Sequence, residues 1–221
     1  MKTELMTTMM IKKYFFAFLL ISLLPIRQLY AQHTDGAGWV SVGISFEIIN
    51  DLTCDIGEEM RYNFSVGDLY QLNTNIGLDY KFSKRFKAGV EYRYSVREVQ
   101  NISRVAASFG YKEELQDLTL SLRSKLQYSF IPDASEGTAF RNKIGAKYKI
   151  NKDFSPYISA ELFYSLSNEI NQFDNFRSEA GISYGPNKHN EFNLSYLFDK
   201  EFNVNKPETM HIGSLGYVYT F

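Results

Sequence analysis

From Thr74 to Val96 the chain alternates with a period of two. Thr74, Ile76, Leu78, Tyr80 and Phe82, then Phe86, Ala88, Val90, Tyr92, Tyr94 and Val96, share one face. Asn75, Gly77, Asp79 and Lys81, then Lys87, Gly89, Glu91, Arg93 and Ser95, share the other. That period requires β-strands, with Ser83-Lys84-Arg85 as the polar turn between two of them. One face is apolar and aromatic and the other is charged, so the fold turns on which face is wet. In a water-soluble sandwich or lipocalin-like barrel the aromatic face is the core. In a barrel that crosses a bilayer the aromatic face meets lipid and the charges line a lumen.

The alternation belongs to a longer repeat. The segments VGISFEI, IGLDYKF, FGYKEEL, IGAKYKI, AGISYGP and LGYVYTF carry Gly43, Gly77, Gly110, Gly145, Gly181 and Gly216, spaced 33 to 36 residues apart. Five of them run into a short polar turn and then a second strand: Thr53–Phe64, Phe86–Val96, Leu118–Ile131, Phe154–Leu166 and Asn190–Phe198. The unit is a β-hairpin of about 34 residues used five times, followed by a single last strand. Short turns contrast with the longer connections VREVQNIS, IPDASEGTA, LSNEINQFD and FDKEFNVNKPET. Short turns at one end, longer loops at the other and strands of the length that spans a bilayer, about 9–11 residues, are the pattern of a transmembrane barrel. Tyr and Phe, 16 and 18 in number, fall near strand ends, where aromatic girdles meet the two interfaces. The aromatic face is therefore read as the lipid face. The expected fold is all-β: a single antiparallel up-and-down transmembrane β-barrel of ten to twelve strands. Eleven strands are countable, and single-chain bacterial barrels have an even number; twelve is favoured, with residues 32–38 forming a short extra strand or threading the lumen.

The ends of the chain agree with export to an outer membrane. Lys12 and Lys13 precede the apolar run Tyr14 to Leu24, and Leu29-Tyr30-Ala31 reads as a cleavage site. Residues 1–31 are thus expected to be a cleaved signal peptide and 32–221 the barrel. Beyond residue 31 the chain has 20 basic and 24 acidic residues, a balance that gives no electrostatic case for nucleic acid. Cys54 is the one cysteine, so no intramolecular disulfide exists. The closing strand GSLGYVYTF aligns Leu215, Tyr217, Tyr219 and Phe221 on one face. It resembles the terminal strand of bacterial outer-membrane barrels, whose last aromatic residue is read by the barrel-insertion machinery. Outer-membrane lipid and that machinery are the expected partners, in a Gram-negative bacterium.

The inward rows carry charges of both signs, and opposite charges on neighbouring strands lie within reach of each other. One stripe is basic: Arg123 and Lys125 on one strand face Arg141, Lys143, Lys147 and Lys149 on the next, and Glu161, Glu179 and Glu191 follow. Either the two stripes neutralise each other and fill the lumen, or Arg123, Lys125, Arg141, Lys143 and Lys147 form an anion-binding wall in a narrow pore. The six repeat glycines are expected to face inward at similar height, relieving crowding or leaving a ring of space.

An enzyme is not expected. Of three histidines beyond the signal, His33 is in the N-terminal tail and His189 in a short turn. His211 is near the outer end of the last strand, where an outer-membrane lipid hydrolase holds a His-x-Ser pair on one face. The residues here are His211-Ile212-Gly213-Ser214, which puts Ser214 on the opposite side. No metal-ligand cluster or phosphate-binding glycine loop is present, so no cofactor is implied.

The segments WVSVGISFEI, RNKIGAKYKINKDFSPYISAELFY and FRSEAGISYGPNKHNEFNLSYLF resemble an uncharacterised family of outer-membrane barrels common in Bacteroidota, the domain of unknown function 2490. Most of the likeness lies in Arg141–Tyr164. The resemblance implies fold and location and assigns no activity, so it transfers no residue roles. Two functions stay open: a plugged barrel acting as a structural or interaction protein, with exposed loops such as Phe198–Thr209, and a narrow, anion-leaning channel or solute-binding barrel. A lipid-modifying enzyme is a distant third.

Overall fold

A computed structural model of the chain describes residues 34–132, 137–166 and 171–221. Among them are eleven strands: β1 Thr34–Ile49, β2 Leu52–Asn63, β3 Asp68–Lys81, β4 Phe86–Arg97, β5 Ile102–Leu115 and β6 Leu118–Phe130. β7 Gly137–Tyr148, β8 Phe154–Leu166, β9 Asn171–Tyr184, β10 Asn190–Glu201 and β11 Thr209–Thr220 complete the order. Each strand pairs with the next, and β1 closes against β11, leaving no free edge. The expected signal peptide, and His33 with it, lies outside the described residues.

The all-β barrel is as the repeat predicts, but its closure is not. The count is eleven rather than the favoured twelve, because residues 34–38 neither thread the lumen nor form a separate strand. They are the first part of β1, paired with β11 and, at Ala37 and Gly38, also with β2. Successive strands reverse direction, so an odd count leaves the first and last running the same way. The closing pair is therefore parallel, from Thr34↔Thr209 to Ser45↔Thr220, in a barrel otherwise antiparallel.

The alternation sets the two faces. Val42, Val90, Ile144, Ile158 and Leu194 point outward in mid-strand and are more than half exposed in the isolated chain. Outward aromatics gather near the turn end, where Phe82, Phe86 and Phe109 touch one another, as do Phe154, Tyr184, Phe192 and Tyr217. A second group, including Tyr62, Phe64, Tyr128, Phe130, Tyr164 and Phe173, rings the loop end. Glu58 departs from this pattern. It is exposed on the outward row of β2 at mid-strand, opposite Val42 and Thr74, with no hydrogen bond or ion pair among the described residues.

Turn chemistry fits the hairpins. Asp51 (φ 66°) and Gln116 (φ 55°) take the left-handed conformation that two-residue connections between antiparallel strands require. Three irregularities break the registers, and two of them shape the lumen. Arg61 pairs with Gln71 while Tyr62 pairs with Leu69, which leaves Tyr70 as an extra residue on β3. Phe163 pairs with Asn175 while Tyr164 pairs with Phe173, which leaves Asp174 extra on β9. Bulges of this kind re-aim side chains.

Candidate functional site

The inward face divides into a filled half toward the loops and a hollow toward the turns. In the filled half the polar side chains are packed as tightly as a hydrophobic core. Asn73 is 0 % exposed, Glu161 4 % and Lys125 7 %, and Gln71, Ser95, Gln127, Ser129 and Asp199 are also buried.

Arg123, Lys125, Arg141, Lys143 and Lys147 of the basic stripe are inward-facing and each has a carboxylate partner, whereas Lys149 lies beyond the end of β7 without an ion pair among the described residues. Arg141 Nη2 lies 2.8 Å from Glu161 Oε2, and Arg123 Nη2 3.1 Å from Glu161 Oε1. Lys125 reaches Glu91 at 2.8 Å, Lys143 reaches Glu179 at 3.1 Å and Lys147 reaches Glu191 at 3.8 Å. Arg141–Glu161 joins neighbouring strands, and the other four pairs skip over intervening strands and so tie the wall across its curvature. Arg123 Nε is buried without a hydrogen-bond partner.

Above the stripe a layer of stacked cations and rings crosses the lumen. The Arg61 guanidinium sits 3.8 Å from the centre of the Trp39 ring and that of Arg177 sits 5.2 Å from it. Arg141 and Arg177 lie 4.2 and 5.3 Å from the Phe163 ring. Elements β2, β1, β9, β8 and β7 are thereby joined through Arg61, Trp39, Arg177, Phe163 and Arg141. Carboxylates hold its cations: Arg61 Nε donates to Glu59 at 2.7 Å, and Arg177 Nε to Asp199 at 2.7 Å. The β3 bulge brings Tyr70 inside, where its hydroxyl accepts a hydrogen bond from Trp39 Nε1 at 3.0 Å. The β9 bulge brings Asp174 to Ser165. Beneath the parallel seam, Ala37, Trp39, Leu197 and Ile212 form a small apolar cluster.

On the β4–β5 wall the charge is not balanced. Arg93 and Arg104 face each other in register. Arg93 donates to Asn75 and has Glu91 only at 4.0 Å; Arg104 donates to Ser129 at 3.0 Å. Neither Arg97 nor Arg104 has an ion pair among the described residues.

Toward the turns, a cavity of about 400 Å³ opens along β1 to β6. Ser41, Gly43, Asp55, Gly57, Gly77, Ser108 and Arg123 are among its walls, with Asp79 and Lys87 at the mouth and Glu91 and Lys125 at its inner end. Asp79 and Lys87 pair at 2.8 Å, while Asp55 is exposed and has no partner among the described residues. The repeat glycines all lie on inward rows, but they do not enclose an even ring of space. Gly43 and Gly77 line the cavity. On the far wall, the Tyr157 ring covers Gly181 and the Ser121 hydroxyl covers Gly145.

His211 faces outward between Tyr196 and Phe198, hydrogen-bonded to Tyr196, whereas Ser214 sits on the inward row beside Trp39. The two are on opposite faces, as the spacing predicts. His189, at the turn end, contacts the Thr220 carbonyl through Nδ1 at 2.7 Å. No group of three or more His, Cys, Asp or Glu among the described residues is placed to hold a metal. The sequence pattern misses Trp39, Tyr70, Phe163, Arg97 and Asp199. Parity alone places Trp39, Arg97 and Asp199 inward; Tyr70 enters only through a bulge, which alternation does not reveal.

A family model for a protein of unknown function (DUF2490) matches residues 36–210, most of the barrel. The chain belongs to the DUF2490 family. Among solved structures, this family member is similar to a NanC porin, at 10% identity and a TM-score of 0.51. The match covers 74% of this chain and 86% of that one. It is also similar to the β-domain of the Bordetella autotransporter BrkA, with 13% identity, a TM-score of 0.47 and coverage of 80% and 86%. Outer-membrane OmpT of Vibrio cholerae matches at 8% identity, with a TM-score of 0.42 and coverage of 68% and 54%. The likeness to the porin is one of fold: that of an outer-membrane β-barrel. No curated protein matches the chain.

Proposed function

We propose that the protein is a closed barrel of a Gram-negative outer membrane, a structural or interaction protein rather than an open pore or an enzyme. The observation that carries this reading is the layer of Trp39, Phe163 and Arg61, Arg141 and Arg177 across the lumen, backed by buried Glu161 and Asp199. Eleven strands make a narrow barrel, nearer to those whose interior is filled by side chains than to the 16–18-stranded porins. The apolar outer face between two aromatic groups supports a bilayer-spanning position. In this reading the short turns face the periplasm and the longer connections, with residues 202–208 the longest fully described one, face outward as contact surfaces. The last strand, with Leu215, Tyr217 and Tyr219 on its outward row, serves recognition by the barrel-insertion machinery.

A second reading, a narrow anion-leaning channel, is favoured by Arg93, Arg97 and Arg104, whose charges the glutamates do not balance. The basic stripe has its partners, so anion attraction in that reading falls chiefly to these three arginines.

Single-channel recording of the inserted barrel in a planar bilayer separates the two. A closed barrel gives no steady conductance, and Trp39→Ala together with Phe163→Ala opens it. Steady wild-type conductance with anion preference, reduced in Arg93→Gln/Arg104→Gln, overturns the closed reading in favour of the channel.

A further inference from the structure

The hollow half of the lumen has the features of a ligand site that neither the family nor the fold assigns. Its volume, about 400 Å³, lies within the range of small-molecule sites, about 300–1,000 Å³. It opens at the turn end, where Asp55 and the 48 %-exposed Lys87 side chain meet solvent, and it ends at the pair of buried Lys125 with half-buried Glu91. The chemistry of its walls is specific. Most charges around it are already paired: Asp79 with Lys87, Glu91 with Lys125, Glu59 with Arg61. Two inward-facing groups are not used up, Glu58 being turned to the outer face. Asp55, on β2, is a carboxylate without a partner among the described residues. Arg123, four strands round the wall on β6, gives one terminal nitrogen to Glu161 and remains 36 % exposed, its other terminal nitrogen unengaged. Ser41 and Ser108 add hydroxyls between them, and Gly43, Gly57 and Gly77 leave the floor bare.

A free anion and a partly free cation on facing walls, in a hollow bare of inward aromatic side chains, complement a solute with a charge of each sign. We propose that this cavity binds a small zwitterion of amino-acid to dipeptide size from the turn side, its ammonium on Asp55 and its carboxylate on Arg123. A lone ammonium or a lone carboxylate satisfies only one of the two groups and binds more weakly. The inference rests on the closed-barrel reading only in that the loop half bounds the cavity. Channel recordings test that reading separately: a conducting barrel that still binds zwitterions breaks the first and keeps the second.

Isothermal titration of the detergent-solubilised barrel with glycylglycine, and in parallel with n-propylamine and with acetate, tests it. Glycylglycine is expected to bind at least tenfold more tightly than either single-ended probe. Asp55→Asn weakens glycylglycine and n-propylamine by about tenfold, equivalent to 1.4 kcal/mol, and leaves acetate unchanged. Gly77→Leu is expected to abolish binding of all three by filling the hollow, with an unchanged circular-dichroism spectrum and heat-modifiability showing that the barrel still folds; a Cβ there meets nothing nearer than the Val90 carbonyl at 3.8 Å. No glycylglycine binding at millimolar concentration, equal affinity for all three probes, or Asp55→Asn indistinguishable from wild type overturns the proposal.

Discussion

Gly77 and Gly181 hold the same place in the 34-residue repeat, both inward, both one strand from a turn of similar length. A Cβ on Gly77 would meet only the Val90 carbonyl, at 3.8 Å; on Gly181 it would lie 2.7 Å from the Leu194 carbonyl, Ser195 Cβ and the Tyr157 ring. The same contrast holds between two inward acids. Glu161 is buried between Arg141 and Arg123, whereas Asp55 stands alone at the mouth of the cavity. Repeat position fixes which way a side chain points. What it meets there depends on the register of the neighbouring strands and on the size of the residues they bring, and these differ round the barrel. The β7–β10 wall brings Tyr157 and three glutamates; the β1–β4 wall brings glycines and serine.

Removing charge from the filled half gives the largest effect. In Glu161→Gln, buried Arg141 and the partly exposed Arg123 lose the one carboxylate that pairs with them among the described residues, which costs about 3–5 kcal/mol. Urea unfolding in lipid vesicles reads this directly. A loss below about 1 kcal/mol, the range of exposed ion pairs, would mean that the filled half is wet and that the contrast with the hollow is false.

The two glycines provide the next test. Gly181→Ala forces its Cβ against backbone and the Tyr157 ring, an overpacking cost of about 1–3 kcal/mol. Gly77→Ala enters open space and stays within about 0.5 kcal/mol. Equal losses at both would show that the glycines are needed for strand curvature alone, as a repeat of interchangeable units implies.

How far the sequence carries this account follows from the same physics. Period-two alternation places nearly every inward and outward side chain, since the pleat leaves no other choice, and it predicts the face of Ser214 relative to His211 correctly. It fails where the period is broken. Tyr70 and Asp174 are extra residues at bulges, and their entry into the lumen depends on pairing with another strand. The seam escapes for a different reason. Given eleven strands, a parallel closing pair follows from parity, but that residues 34–38 extend β1 instead of adding a twelfth strand is decided by the fit of residues 34–45 to 209–220, which no local pattern encodes. The stacking of Arg61 and Arg177 on Trp39 joins residues far apart in sequence and is equally invisible before the barrel is closed.

Glu58 sets inside against outside. A carboxylate at mid-strand on the apolar outer face, with no partner among the described residues, is costly if that face meets lipid; acidic residues there cost less than the about 2–4 kcal/mol of a lysine or arginine. Glu58→Leu is accordingly expected to stabilise the barrel in vesicles by about 1–2 kcal/mol. No gain, or a loss, would mean that this stretch of β2 is covered by something other than acyl chains.

Asp55→Asn is expected to move stability least and is for that reason the most discriminating variant in the hollow half. The carboxylate is exposed and makes no ion pair among the described residues, so its removal breaks no native contact and the change stays within about 0.5 kcal/mol. The same substitution is expected to weaken binding of an ammonium-bearing solute tenfold. A group that contributes to binding and not to folding is what a pre-formed site requires, because the repulsion or partner that would otherwise fix it has been left out of the native structure. If Asp55→Asn instead destabilises by more than about 1 kcal/mol, the carboxylate has a partner within the barrel wall, and the hollow is structural in the way the filled half is.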